Sequence, residues 1–501
     1  MTSTLNTTRR AALALLLVAA SAFAARAQQS TPAPQETPPP PAAPRSVTVP
    51  KPVERTLSNG LRVVVIEDHD MPLVSAQLIV KSGGEVDPAA LSGVADMTAS
   101  LLTKGTKART APQIASEIES LGGTLTSAAG WDASRATLNV MSSKIEPAMA
   151  VLSDVVRNPV FDAEEIERLR QQYADGLSVA MQDPGQLAGY VASRVVFGDA
   201  AYGHPVSGTP ESIPAIKRED IVKIHSTYYR PDNSLLVVGG DIAAADAFKL
   251  AERLFGDWVK PAAALPAATM AKRDAGAKPR IVVVDMPEAG QAAVVLARRG
   301  LSRTDPEYFR GIVSNAVLSG YSGRLNQEIR IKRGLSYGAR SSLEARRDTG
   351  PFIASAQTKN PSGAEVAGLL VGEIGRLANE AIVETELNPR KSVLIGNFGR
   401  SLETTDGLVG QIASLALYGL SLGEINNYIG SVQAVTPAEI QKFASARLGA
   451  KDANIVIVGS AKDFVEALRK QFPDVEVIPF AELDLNNATL RKTPAQKSSA
   501  N

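Results

Sequence analysis

The stretch from Gly93 to Thr106 reads GVADMTASLLTKGT, and its pattern is that of one short amphipathic helix closed by a glycine. Val94, Met97, Leu101 and Leu102 fall at helical spacing, and Lys104-Gly105 supplies a basic last turn and a left-handed cap. Positions i and i+4 of such a helix share one face, and a histidine pair there can hold zinc. Here those positions are Asp96 and Ser100, with Ala99 where a general base would stand. The frame of a metal site is present without its metal chemistry.

Working outward, Leu61 to Ile66 (LRVVVI) and Leu73 to Val80 are predicted strands, joined by a turn through Asp68-His69-Asp70. After the central helix come a helix around Pro112 to Leu121, the Gly122-Gly123 break, a strand at Thr124 to Ala128, and an alternating strand through Ala136, Leu138 and Val140. Helical patterns follow at Ile145 to Val156, Ala163 to Met181, Gly185 to Val196 and Ile221 to Tyr228, and Ser234 to Val238 is a closing strand. Then the order repeats. Arg280 to Val284 matches LRVVVI, Ala292 to Ala297 matches the second strand, and Tyr308 to Leu318 corresponds to the Gly93 helix. Thr436 to Ile440 heads a helix like that at Lys217 to Ile221, and Ile455 to Gly459 repeats Leu235 to Gly239. The expectation is two homologous domains, 53–260 and 280–485, joined by an Ala/Pro-rich linker over 261–279. Each is expected to be an antiparallel or mixed sheet with helices packed on one face, an α+β plan.

The chain has 501 residues, 44% of them apolar, and a net charge of +1 from 53 basic and 52 acidic side chains. No electrostatic footprint for nucleic acid is visible. The absence of cysteine excludes disulfides, thiolate nucleophiles and cysteine-based metal sites. Residues 1–27 read as a secretory signal: Arg9-Arg10, an apolar run from Ala11 to Ala25, and Ala25-Arg26-Ala27 as a small-x-small cleavage site. An exported, periplasmic protein with no membrane span after cleavage is expected. A retained N-terminal anchor and twin-arginine export are the alternatives. Residues 28–52, including Pro38-Pro39-Pro40-Pro41, are expected to form an extended tether, and 486–501 a flexible tail.

The histidines do not assemble a site by spacing. His69 lies in a turn, His204 before Pro205 and His225 on a helix, with no close pair among them. No G-x-S-x-G elbow is present, since Gly93 sits in S-G-V-A.

Taken in order, several motifs resemble the pitrilysin and insulysin clan of zinc peptidases, in particular mitochondrial processing peptidase-like and small bacterial members. They are Asn59-Gly60-Leu61, the GVADMTASLLTKGT helix, Pro159-Val160-Phe161, Tyr202-Gly203-His204-Pro205 and Tyr229-Arg230-Pro231-Asp232-Asn233. In the second half they are Ser322-Gly323-Arg324-Leu325 and Arg330 through Tyr337. Active members of that family carry H-x-x-E-H on the central helix and a distant Glu ligand. The resemblance places Asp96, Ala99 and Ser100 at the motif positions and Gly176 at the distant one, so no metal is expected in this chain. It also implies that Arg330 and Tyr337, within EIRIKRGLSYG, match an Arg/Tyr pair that reaches substrate near zinc. A fixed cation and a phenol donor can both bind developing negative charge. Without the family match, a surface Arg paired with Glu328 and a packed Tyr would explain the same residues. Gly334 is placed to end the helix before Tyr337.

Some bacterial relatives divide the work between a zinc-bearing subunit and a partner that supplies the Arg/Tyr pair. The resemblance implies that this chain is the second type, with zinc in a homologous H-x-x-E-H partner and unfolded peptide as substrate. The family adds peptide as an extra strand along the segment equivalent to Thr124, Leu125, Thr126 and Ser127. Family members have Asn-Ala where this chain reads Thr126-Ser127. A non-catalytic peptide-binding or scaffolding homologue is the alternative.

Overall fold

A computed structural model describes residues 48–266, 278–449 and 453–492. The expected signal segment, most of the expected tether and the middle of the expected linker lie outside these residues. Twelve strands form two six-stranded sheets. The first holds β1 (Val53–Thr56), β2 (Arg62–Glu67), β3 (Leu73–Val80), β4 (Thr124–Ala129), β5 (Ser134–Met141) and β6 (Ser234–Gly240), in the order β1-β2-β6-β3-β5-β4. The second holds β7 (Ile281–Asp285), β8 (Ala292–Arg299), β9 (Ala339–Leu343), β10 (Pro351–Thr358), β11 (Asn454–Gly459) and β12 (Val475–Pro479), in the order β12-β7-β11-β8-β10-β9. The two orders coincide over five strands, which is the repeat read in the sequence. They differ in the sixth: β1 precedes the first set and joins β2 antiparallel, whereas β12 follows the second and joins β7 parallel.

Each sheet carries its own helices on one face. Val63, Val65 and Leu78 pack there with Met97 and Leu101 of the Val94–Leu101 helix, and with Leu152 of the Ile145–Arg157 helix. The opposite face is covered by a helix from the other half. Val64, Ile66, Ile79 and Val237 meet Val409, Ile412 and Ala413 of the Thr405–Leu417 helix. Reciprocally, Val282, Val284, Val295 and Val456 meet Leu187, Val191 and Ala192 of the Pro184–Phe197 helix. This exchange explains why LRVVVI and RIVVV are unbroken apolar runs: strands buried on both faces lose the alternation of half-buried ones. It also demands close approach. A Cβ on Gly239 would stand 2.5 Å from Val409 Cγ2 and 2.7 Å from Ile66 Cγ2.

The tether ends earlier than the sequence suggested. Val49 is buried, its N–H donates to Asn426 Oδ1 at 2.8 Å, and its carbonyl accepts from Asn426 Nδ2 at 3.1 Å. The expected tail is likewise packed as far as residue 492. Leu490 is fully buried beside the Pro184–Phe197 helix, and Asn486 Oδ1 accepts from Thr209 Oγ1 at 2.8 Å. A polar composition misled the reading because its asparagines are spent on the chain itself.

A second joint between the halves is polar. The guanidinium of Arg347 donates to Glu85 Oε1 at 2.9 Å, to the Lys81 carbonyl at 3.0 Å and to the Asp132 carbonyl at 2.6 Å. Its backbone N–H donates to Asp132 Oδ2 at 2.8 Å, and Tyr418 donates to the same oxygen at 3.0 Å. Arg346 lies over Trp131 and Tyr202, 4.6 and 4.9 Å from their ring centroids.

Burial pushes the Glu85 carboxyl up to about 7 and the nearby Asp132 adds to the rise, against the opposing pull of Arg347 and the Gly83 N–H. A carboxyl raised on folding holds its proton in the native state at pH values where the unfolded chain has lost it. The stability it contributes is therefore complete below its unfolded value of 4.5 and declines as pH rises toward about 7. Glu85→Gln should flatten this decline, which amounts to about 1–3 kcal/mol, in denaturation midpoints compared between acid and mildly alkaline buffer. Equal slopes for the two proteins would contradict it.

Candidate functional site

The central helix begins where Asp87 fixes it. The Asp87 carboxylate accepts from the Gly93 N–H at 2.7 Å and the Ala95 N–H at 2.9 Å. Gly93 has φ +93°, and a Cβ there would stand 3.0 Å from the Gly208 backbone. The helix runs over Val94–Leu101, and the tight turn Leu102–Lys104 follows it. Val94, Met97, Thr98 and Leu101 are buried, while Asp96 and Ser100 look toward the Ala163–Gln182 helix.

There they meet Tyr173. Its hydroxyl donates to Asp96 Oδ2 at 2.8 Å and lies 3.1 Å from Ser100 Oγ. Asp96 Oδ1 accepts from the Ala129 N–H at 3.2 Å, and the Ala99 carbonyl accepts from Ser127 Oγ at 2.7 Å. Burial pushes the Asp96 carboxyl up from its ordinary value, against the pull of the Tyr173 hydroxyl and the Ala129 N–H. Burial, and then the Asp96 charge, push the Tyr173 phenol up as well. Gly176 lies three residues further along the same helix, exposed, with open space where a Cβ would be.

These residues do not fit zinc. Tetrahedral protein sites need three or four nitrogen, sulfur or carboxylate donors. Here one carboxylate is already held by a phenol and a backbone N–H, beside a serine and an alanine. No cluster of three His, Asp or Glu able to hold a metal occurs among the described residues. Elemental analysis of the purified chain should therefore find well under one zinc per chain. Tyr173→Phe should cost about 1–3 kcal/mol, because it removes a hydrogen bond to the half-buried Asp96 carboxylate, and should lower the thermal midpoint. An unchanged midpoint would mean that the phenol does not hold this corner together.

Sequence reasoning passed over Tyr173, although the signal was there. Ile166, Leu169, Leu177 and Ala180 are the buried positions of this helix, and Tyr173 continues their spacing.

Asp96 and Tyr337 line one cavity of about 850 Å³ between the halves, together with Trp131, Tyr190, Arg340 and Gln357. Tyr337 does not share a helical face with Arg330. The Gln327–Lys332 helix ends before Gly334, which has φ +64°, and Tyr337 stands on the following loop with 90% of its surface exposed. Arg330 lies outside the cavity lining and over the exposed ring of Tyr321, 5.4 Å from its centroid. Glu328 bonds Lys332 at 2.9 Å and Arg333 at 3.0 Å instead of Arg330.

The edge strand beside the central helix is β4, last in its sheet. Its register with β5 turns the backbone groups of Leu125 and Ser127 outward, and leaves Thr124 and Thr126 with exposed side chains. The equivalent edge in the second half, β9, is capped: Asn326 Oδ1 accepts from Ala339 N at 3.4 Å and Ser319 Oγ from Ser341 N at 3.1 Å. Of the two related edges, the first is the one open to an added strand.

The three histidines are each engaged elsewhere. His69 Nδ1 lies 2.8 Å from Asp241 Oδ1, and the ring of His204 packs against Trp131 with centroids 5.3 Å apart. The ring of His225 stacks on Tyr229 at 4.8 Å.

Comparison with known proteins follows the same division into halves. Residues 62–205 match the family model described as Insulinase (Peptidase family M16), and residues 215–394 match that described as Peptidase M16 inactive domain. An uncharacterized zinc protease of Streptomyces coelicolor is 25% identical over 81% of this chain and 89% of that protein. A crystal structure of a peptidase M16 inactive domain from Pseudomonas fluorescens superposes with a TM-score of 0.75 and 26% identity, covering 82% of this chain and 98% of that one. The fold is shared with a protease from Helicobacter pylori, at a TM-score of 0.76 and 20% identity over 82% of this chain and 100% of that one. With both halves matched in order and the sheets repeated in three dimensions, the chain belongs to peptidase family M16.

Proposed function

We propose that this protein is the non-zinc subunit of a heteromeric, exported M16 peptidase, and that it lends Tyr337 and Arg330 to peptide hydrolysis at a homologous partner's zinc. The observation that carries this reading is the contrast between two positions in the lining of one cavity. At Asp96 the metal position is closed by hydrogen bonds to Tyr173 and Ala129, so this chain has no hydrolytic centre of its own there. At Tyr337 a phenol is 90% exposed, and no hydrogen bond from its hydroxyl occurs among the described residues. An exposed tyrosine on a cavity wall with a free hydroxyl is available to an oxygen that gains negative charge. Arg330 carries no ion pair among the described residues and lies over the Tyr321 ring.

In this reading unfolded peptide lies along β4, with Leu125 and Ser127 offering backbone groups and Thr124 and Thr126 flanking them. The partner closes over the cavity, and its zinc supplies the activated water. The signal-like residues 1–27 support export to the periplasm, and no helix among the described residues is long and apolar enough to cross a membrane.

The test is reconstitution with an H-x-x-E-H partner from the same source, comparing turnover and assembly for wild type and Tyr337→Phe. A scaffolding role is the second reading, favoured by the closed metal position. It requires that Tyr337→Phe leave turnover unchanged.

A further inference from the structure

We propose that Arg340 is a specificity residue that selects peptides bearing a carboxylate, supplied by an acidic side chain or by a free C-terminus. This inference rests on the cavity being the peptide chamber of the preceding reading, and it adds the substrate class.

Arg340 lies on β9, three residues beyond Tyr337, and its residue is exposed. The register places it opposite Ser355 of β10, and Ser355 opposite Val295 of β8. All three line the cavity, so this cross-strand row directs the Arg340 side chain to the cavity face of the sheet. Other arginines of this half are matched with acids: Arg303 with Glu424, Arg310 with Glu439 and Arg324 with Glu386. Arg340 has no carboxylate within salt-bridge distance among the described residues. It is also the one cation among the lining residues.

The two acids of the lining each accept hydrogen bonds from the chain itself. Asp96 accepts from Tyr173 and Ala129, and Asp183 accepts from the Gln186 N–H at 2.7 Å as the cap of the Pro184–Phe197 helix. Arg340 is therefore the charged group of this lining whose side chain has no hydrogen-bond or ion-pair partner among the described residues. A planar guanidinium with unspent N–H groups matches a carboxylate in two parallel hydrogen bonds.

The experiment measures binding of short unfolded peptides to the purified chain by calorimetry at low salt. Three probes share a neutral Ala/Ser/Leu sequence with an acetylated N-terminus. One has an internal Glu and an amidated C-terminus, one has no acid and a free C-terminus, and one has no acid and is amidated. At least one carboxylate probe should bind about tenfold more tightly than the fully blocked probe, and salt should erode the difference. Which probe gains identifies the source of the carboxylate. Arg340→Gln should abolish the preference and Arg340→Lys should keep part of it; circular dichroism checks that both variants fold. Equal affinities on the wild type, a preference that survives in Arg340→Gln, or no binding of any probe would each overturn the proposal. Failure of the catalytic reading looks different: Tyr337→Phe would turn over normally in the reconstituted complex while the preference set by Arg340 persisted.

Discussion

Tyr337→Phe, assembled with the zinc-bearing partner, is expected to form the normal complex and to turn over peptide about 10²–10³-fold more slowly. The size follows from the role: losing one donor to a developing oxyanion removes roughly 3–4 kcal/mol of transition-state stabilisation. The site makes this substitution clean. The Tyr337 ring is 90% exposed, so exchanging its hydroxyl for hydrogen disturbs little packing. Thermal stability of the isolated chain should not change. If the contact tightens mainly in the transition state, kcat falls while KM moves little. A fall in KM-controlled binding with kcat intact would make Tyr337 a substrate contact, and undiminished kcat with normal assembly would leave the chain a scaffold. Arg330→Ala is a weaker test, because it also strips the guanidinium from the Tyr321 ring and so changes the surface presented to a partner.

Much of this arrangement could be read before the structure, and the reason is physical. The repeat was legible because β2, β6, β7 and β11 are unbroken Val/Ile/Leu runs, the pattern of strands covered on both faces. The same runs signalled more than was taken from them. A sheet with helices on one face should alternate, so the absence of alternation already called for the Thr405–Leu417 and Pro184–Phe197 helices to cross between halves. The Ala244–Phe255 helix was also missed: its buried Phe248, Ala251 and Phe255 are spaced for a helix, but alanine-rich surroundings blur the pattern.

At the site, the lack of a zinc-binding set at Asp96, Ala99 and Ser100 was visible from residue type alone. How Asp96 is held was not, since a hydrogen bond across 77 positions from Tyr173 to Asp96 leaves no trace in local spacing. Gly334 was legible as the end of the helix between Arg330 and Tyr337, and its positive φ ends it there. Arg340 carried no motif at all. Its meaning comes from a cross-strand row and from the absence of a paired acid, both tertiary facts.

Arg347→Ala is the stability change of largest expected size, because it removes the cationic partner of a buried carboxylate in the polar joint between the halves. The side chain of Glu85 is only 7% exposed, and Arg347 supplies its counter-charge while also satisfying the carbonyls of Lys81 and Asp132. Truncation leaves a buried carboxylate without its counter-charge, held by the Gly83 N–H alone, and two carbonyls without this donor, a loss of roughly 3–5 kcal/mol. The cost should depend on pH in a defined direction. Below about 7 Glu85 holds its proton in the native protein, so less charge is left uncompensated when Arg347 is removed. The difference between wild type and Arg347→Ala should therefore widen as pH rises from acid to mildly alkaline, and Glu85→Gln in the same background should recover part of it. Unfolding should nevertheless remain one transition, since the helices exchanged between the two sheets still bury each half's apolar face in the other. Two separated transitions in Arg347→Ala would show instead that this joint, and not the exchanged helices, makes the halves unfold together.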